Sequence, residues 1–232
     1  MVQTAVILAL AALAIAAPSQ PLQSAEWKSI PSKPTTTQYE STFDDLEPIA
    51  GGLISIEEVG PYNGLDFQGI NLITLGLAGQ DIAGVSPESP SNVGAYSARS
   101  QLFDGATPVI TTQYPGSVTD TFDFHKFYFG CVIATAESVA SVALGCTVKV
   151  QGYRASNEVA EQEFTFTPEL LQLTSDMVEA RLSDKFIGVD TVTFTTEYAV
   201  PAVGATLLDS LSYETYNAVA AKDDEEKKKE GH

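Results

Sequence analysis

Residues 121–154, TFDFHKFYFGCVIATAESVASVALGCTVKVQGYR, decide the fold class. In the first half Phe122, Phe124, Phe127, Phe129 and Val132 supply aromatic and branched mass to one side. In the second half Cys146, Val148, Val150 and Gly152 alternate with Thr147, Lys149 and Gln151. A period of two sends successive side chains to opposite faces of an extended chain, so each half reads as a long, half-buried strand. The small residues between them predict a loop, and the whole reads as an antiparallel hairpin with Cys131 in one strand and Cys146 in the other.

Short β-favouring runs recur on either side of it. EFTFT and TVTFTT are rich in Thr, Val and Phe, and turn signals such as PYNG at 61–64 separate the apolar segments. Ten or so short strands without intervening amphipathic helices predict an all-β fold, an antiparallel β-sandwich of jelly-roll type. PELLQLTSD has room for one helical turn. A chain of 232 residues with 44% hydrophobic content can bury one core. The expected division is a signal peptide at 1–16, a flexible leader at 17–40, the sandwich domain at 41–215 and a charged tail at 216–232.

The signal peptide is read from MVQTAVILALAALAIAAPSQ, an apolar run ending in small residues with Ala14 and Ala16 at the two small positions of a cleavage pattern. No later run approaches the roughly 18 apolar residues of a membrane span, so a secreted, extracellular product without membrane insertion is expected. In an oxidising compartment Cys131 and Cys146 are expected to form one disulfide, closing a loop of roughly 15 residues. The formal charge of -18 repels phosphate backbones and excludes nucleic acid as a partner, leaving cationic or neutral ligands.

Four segments carry a resemblance: FDDLEPIAGGLISI at 43–56, PYNGLDFQGINLI at 61–73, FDFHKFYFGCVI at 122–133 and VDTVTFTTEYAVPAVGATLLDSLSY at 189–213. They resemble secreted β-sandwich domains of uncharacterised fungal extracellular proteins and similar bacterial exported proteins. Those domains look like jelly-roll carbohydrate-binding modules and lectin-like domains. Ser210 stands where Asn is frequent in that pattern, and Phe67 where Trp is frequent. The resemblance implies a glycan or cell-wall polysaccharide as ligand. It also implies a structural calcium where the first and last strands meet, with Asp45 and Asp209 as its ligands. Two strand-end carboxylates together with backbone carbonyls suit the oxygen preference of that ion.

For ligand contact, Tyr62 and Tyr114 beside turn residues are the expected exposed aromatics, with Asn63 and Asp66 placed to read hydroxyl groups. A second class of function is a structural or host-interaction protein that binds another protein through its acidic surface. A jelly-roll carbohydrate-active enzyme is the third. Against catalysis stands the absence of a nucleophile elbow and of zinc-type His/Cys spacing, and among 24 acidic residues between Glu40 and Glu214 any one carboxylate pair is uninformative. No catalytic residue is assigned, and the expected product is a non-catalytic module.

Overall fold

A computed structural model describes residues 35–47, 57–74, 84–90, 92–97, 107–133, 142–169, 174–200 and 204–217. Its strands are β1 (Thr36–Ser41), β2 (Glu57–Tyr62), β3 (Leu65–Thr74), β4 (Gly84–Ser86), β5 (Asn92–Ser97), β6 (Val109–Thr111) and β7 (Thr119–Ile133). They continue as β8 (Cys146–Arg154), β9 (Asn157–Phe166), β10 (Thr174–Asp176), β11 (Val178–Arg181), β12 (Thr191–Tyr198) and β13 (Gly204–Asn217). Eleven of them form one antiparallel sheet in the order β11-β7-β13-β5-β3-β6-β12-β8-β9, with β1 added beside β13 and β2 beside β3. The parallel pair β4–β10 stands apart. This is the expected all-β sandwich, and it has no helix long and apolar enough to cross a membrane among the described residues.

The sheet folds over itself because β3 changes partners along its length. Asp66 to Gln68 pair with β6, whereas Asn71 to Thr74 pair with β5. Between them Gly69 has φ +65, a conformation that costs glycine little, and its N–H donates to Glu58 Oε1 at 2.7 Å. Across this break the buried positions change parity, from Leu65 and Phe67 to Ile70 and Leu72.

The two layers then bury their aromatic faces against each other. From β7, Phe124 and Phe127 meet Phe194 of β12 at 6.4 and 5.7 Å between ring centres, Phe127 meets Phe164 of β9 at 5.8 Å, and Phe129 meets Phe166 at 6.4 Å. Most of these pairs are edge-on, the arrangement that ring quadrupoles favour. Residues 146, 148 and 150 of β8 are buried as the alternation predicts, and Phe122, Phe124, Phe127, Phe129 and Val132 of β7 are buried too, although their spacing departs from period two.

Their pairing differs from the expected hairpin. β7 is hydrogen-bonded to β11 and β13, and β8 to β12 and β9. Among the described residues, the two halves of 121–154 touch as strands only at the bridge between Val132 and Ala143, where Leu144 N donates to Cys131 O at 2.7 Å. The Cys131–Cys146 disulfide forms as expected, with the Cα atoms 6.2 Å apart, but it ties one layer to the other. Period-two alternation states which face of a strand is buried. It is silent about whether the neighbouring apolar strand lies beside that face or opposite it, and here two strongly apolar faces bury each other across the core.

Two boundaries lie further out than expected. β1 starts at Thr36, inside the segment read as leader, and pairs residue by residue with β13, which itself continues to Asn217. The expected signal peptide falls outside the described residues, and PELLQLTSD is described only at its ends, where Thr174–Asp176 is strand β10.

The terminal strands of the sheet path, β9 and β11, are joined by one side chain. Gln162 of β9 donates through Nε2 to Arg181 O at 2.9 Å, and its Oε1 accepts Ser183 N at 3.0 Å, taking the place of a strand ladder. Gln162→Ala is expected to cost about 1 kcal/mol, the net worth of such bonds. Hydrogen exchange at residues 181–183 is the measurement, and exchange as slow as in the wild type would show that the seam is held by packing alone.

Candidate functional site

Strands β1, β13 and β7 carry a cleft of about 300 Å³ lined by Gln38, Tyr39, Glu40, His125, Ser212 and Tyr213. It arises from two opposed irregularities. β13 pairs Asp209 with Tyr128 and then Ser212 with Lys126, so β13 carries one extra residue there. The next pair, Tyr213 with Phe124, skips His125, so β7 carries the second. The register is restored after both, but between them the ladder is open, and Ser210 takes the left-handed conformation at φ +48. Bulges of this kind re-aim side chains locally. Here they turn exposed His125 outward between buried Phe124 and Phe127 and place it beside Ser212.

The register sets the polarity of the cleft. Glu40 faces Ser212 and Gln38 faces Glu214 on the outer side of the β1–β13 pair, whereas Tyr39 and Tyr213 face each other on the inner side with ring centres 5.5 Å apart. The side chains of Gln38, Glu40, His125 and Ser212 make no hydrogen bond or ion pair with another described residue, so an amide, a carboxylate, an imidazole and a hydroxyl stand unpaired around one concavity.

On the inner side of β1 lies a cluster of phenols. Asn63 and Gly64 form the two-residue turn between β2 and β3, both with positive φ, as Asn-Gly prefers. At Gly64 a Cβ would meet the Tyr39 ring at an ordinary 3.6 Å, so it is the φ of +80 rather than space that favours glycine. Tyr213 Oη donates to Asn63 O at 3.1 Å and shares a 2.9 Å bond with Ser41 Oγ, which also accepts Asn63 Nδ2 at 3.1 Å. Tyr62 stacks on Phe43 and donates to Asp45 Oδ1 at 2.5 Å. Burial first, and then the Asp45 carboxylate, push the Tyr62 phenol well above its usual range, so it acts as a neutral donor.

The expected ligand-contact residues are therefore partly assembled. Tyr62 and Asn63 adjoin the same turn, and Tyr114 is near enough for its phenol to perturb that of Tyr213. Tyr114 heads a turn through Pro115 and Gly116 closed by Ser117 N to Tyr114 O at 3.1 Å, and it is half-buried. Asp66 lies within β3 and accepts Gln68 Nε2 at 2.9 Å. Tyr62 and Asn63 are both engaged in holding the turn, and the cleft residues Gln38, Glu40, His125 and Ser212 were not singled out by sequence reasoning.

The two residues expected to bind calcium have hydrogen-bond partners of their own. Asp209 is fully buried at the β13 bulge, where Oδ2 accepts Ser89 N at 2.7 Å and Oδ1 accepts Ser89 Oγ at 2.8 Å, Ser210 N at 2.6 Å and Ser210 Oγ at 3.3 Å. Asp45 is exposed in the turn after β1 and bonded to Tyr62, while its neighbour Asp44 accepts Asn92 N at 2.9 Å. Both Asp209 oxygens face N–H and O–H groups, and no three His, Cys, Asp or Glu side chains among the described residues come together as metal ligands. This donor-saturated arrangement does not suit a cation. A calcium ion present at a hundredfold excess over its Kd would add about 2.7 kcal/mol. The geometry predicts no such gain, so melting curves recorded in calcium and in EDTA should superimpose.

No family description and no curated protein matches the chain. Among solved structures, a DUF4465 family protein from Bacteroides caccae is similar at 10% identity and a TM-score of 0.47, over 81% of this chain and 96% of that one. The K1 cleaved adhesin domain of Lys-gingipain from Porphyromonas gingivalis is similar at 16% identity and 0.37, over 77% and 97%. The CBM22-1–CBM22-2 tandem domain of Xyn10C from Paenibacillus barcinonensis follows at 14% and 0.31, over 74% and 46%. At these values no residue role is carried over to this chain.

Proposed function

We propose that this chain is an extracellular, non-catalytic binding module whose ligand is a glycan. The observation that supports this most directly is the cleft lined by Gln38, Glu40, His125 and Ser212, whose side chains have no hydrogen-bond or ion-pair partner among the described residues. Sugars are recognised through many neutral hydroxyl groups, each able to donate and accept, and a mixed set of amide, carboxylate, imidazole and hydroxyl groups complements them. Hydrogen-bonding capacity left unused in a concavity is free to be taken up by a ligand. Catalysis gains no support from the same groups: the Ser212 hydroxyl and the His125 imidazole line one cleft, but no hydrogen bond joins them as nucleophile and base.

The test is a glycan array and a pull-down on insoluble chitin, β-glucan, mannan and cellulose, using the wild type and His125→Ala. Saturable binding that His125→Ala weakens supports the reading and locates the site. Binding unaffected by His125→Ala but lost in Tyr114→Ala moves the site to the phenol cluster. No binding to any glycan removes the proposal in favour of a protein partner.

A further inference from the structure

Glu40 is the one carboxylate among the described residues that line the cleft, and no described basic side chain forms an ion pair with it. Lys126 lies 3.8 Å from Glu179, which Arg181 also contacts. Lys149 is held by Glu161 and Glu163 at 3.4 and 3.7 Å, and Arg154 donates to the carbonyls of Gly188 and Ile187. The remaining described lysine or arginine, Lys185, lies in the 3-10 turn Asp184–Phe186. Gln38 is paired with Glu214, which is itself opposite Asp123, so the strands around the cleft add negative charge. The whole chain carries -18.

We propose that the ligand is an amino sugar, a pyranose unit with a free ammonium group, held by Glu40 while Gln38, Ser212 and His125 engage its hydroxyl groups. This rests on the glycan reading above. A neutral sugar seated here would draw water away from the Glu40 carboxylate and return no opposite charge, and a uronate would be repelled by it. An ammonium group converts the same contact into a charge-assisted hydrogen bond.

N-acetylation of the amine removes its charge while keeping the ring, which gives a matched pair of probes. Calorimetry on the full chain would compare a glucosamine disaccharide, its N-acetylated counterpart and a neutral glucose disaccharide. Two variants accompany the wild type: Glu40→Gln, and Glu197→Gln on the exposed side of β12 as a control that removes the same charge elsewhere. The free amine is expected to bind about tenfold more tightly than either neutral sugar, the difference between a charged and a neutral hydrogen bond. That margin should shrink as salt is added. Glu40→Gln should abolish it and Glu197→Gln should leave it intact.

Equal affinity for all three sugars overturns the amino-sugar assignment and leaves the glycan reading standing. Equal losses in the two variants also overturn it, because the preference would then belong to the overall field. Failure of every sugar to bind the wild type removes the glycan reading and this proposal together.

Discussion

Replacing Asp209 with asparagine is expected to destabilise the fold by about 2–3 kcal/mol, although it removes a buried charge. The reason is the direction of the hydrogen bonds. Each Asp209 oxygen accepts one backbone N–H, Oδ2 from Ser89 and Oδ1 from Ser210. An asparagine must turn its amide nitrogen toward one of them, setting donor against donor at a buried site. A protonated aspartic acid has no such conflict, because its hydroxyl oxygen still accepts. What the contact holds is the junction at which β13 exchanges one edge partner for another: Leu208 still pairs with Gly94 of β5, and Leu211 already pairs with Ser41 of β1. Its loss should appear as a fall in melting temperature of roughly 5–10 °C for a domain of this size. A fall of under a degree would mean that the 88–90 segment holds itself.

The same residue sets a pH dependence. Desolvation outweighs the bonds from Ser89 and Ser210 and raises the Asp209 carboxyl above its ordinary value near 3.8. The folded chain therefore binds this proton more readily than the unfolded chain does. Its contribution is largest below the unfolded value and is lost as pH rises through the raised folded value. On acidification from neutrality toward pH 4, about the ordinary carboxylate value, the wild type should thus gain stability relative to Asp209→Asn, and the gap between the two melting curves should widen. A gap independent of pH would show that the carboxyl is not shifted.

Which residues were legible in the sequence follows from what each pattern encodes. Alternation in 146–152 correctly separates buried Cys146, Val148 and Val150 from half-buried Thr147, Lys149 and Gln151. The cleft also left a trace. Phe122 and Phe124 keep one parity and Phe127 and Phe129 the other, yet all four are buried, and Phe124 stacks on Phe127 at 5.7 Å. A spacing of three between inward residues of one strand requires a bulge between them, so His125 could have been found by that break alone. β1 gave no comparable signal. TTQYES is an edge strand with most of its side chains exposed, and without an apolar face its composition is that of a linker. The Ser89–Asp209 contact spans 120 residues and depends on a bulge in one strand and a loop from elsewhere, so no local pattern announces it.

The disulfide carries the second large expectation. Reducing Cys131–Cys146 should cost about 3 kcal/mol by the chain-entropy estimate for a loop of this length, or roughly 6–12 °C in melting temperature. Loop length alone would give the same figure for a hairpin, so the size of the loss does not identify the geometry; its location does. A crosslink within a hairpin would leave the layers independent of it. Here the bond joins β7 to β8 across the core, and on the β7 side Cys131 Sγ lies 3.6 Å from Thr206 Oγ1. Thr206 belongs to a buried chain of hydroxyls, with Thr196 and Tyr198 of β12 each 2.9 Å away and Tyr96 of β5 2.9 Å from Thr196. Disulfide and hydroxyl chain therefore clamp the same two layers at the same end. Because Cys131 and Cys146 are buried, reduction requires unfolding in the presence of reductant, followed by refolding. In the refolded, reduced chain, exchange should accelerate most at residues 196–198 and 204–206 and least at the opposite end, where Phe122 bridges Val189. Uniform acceleration would mean that the bond acts only through the unfolded chain and that packing alone holds the layers together.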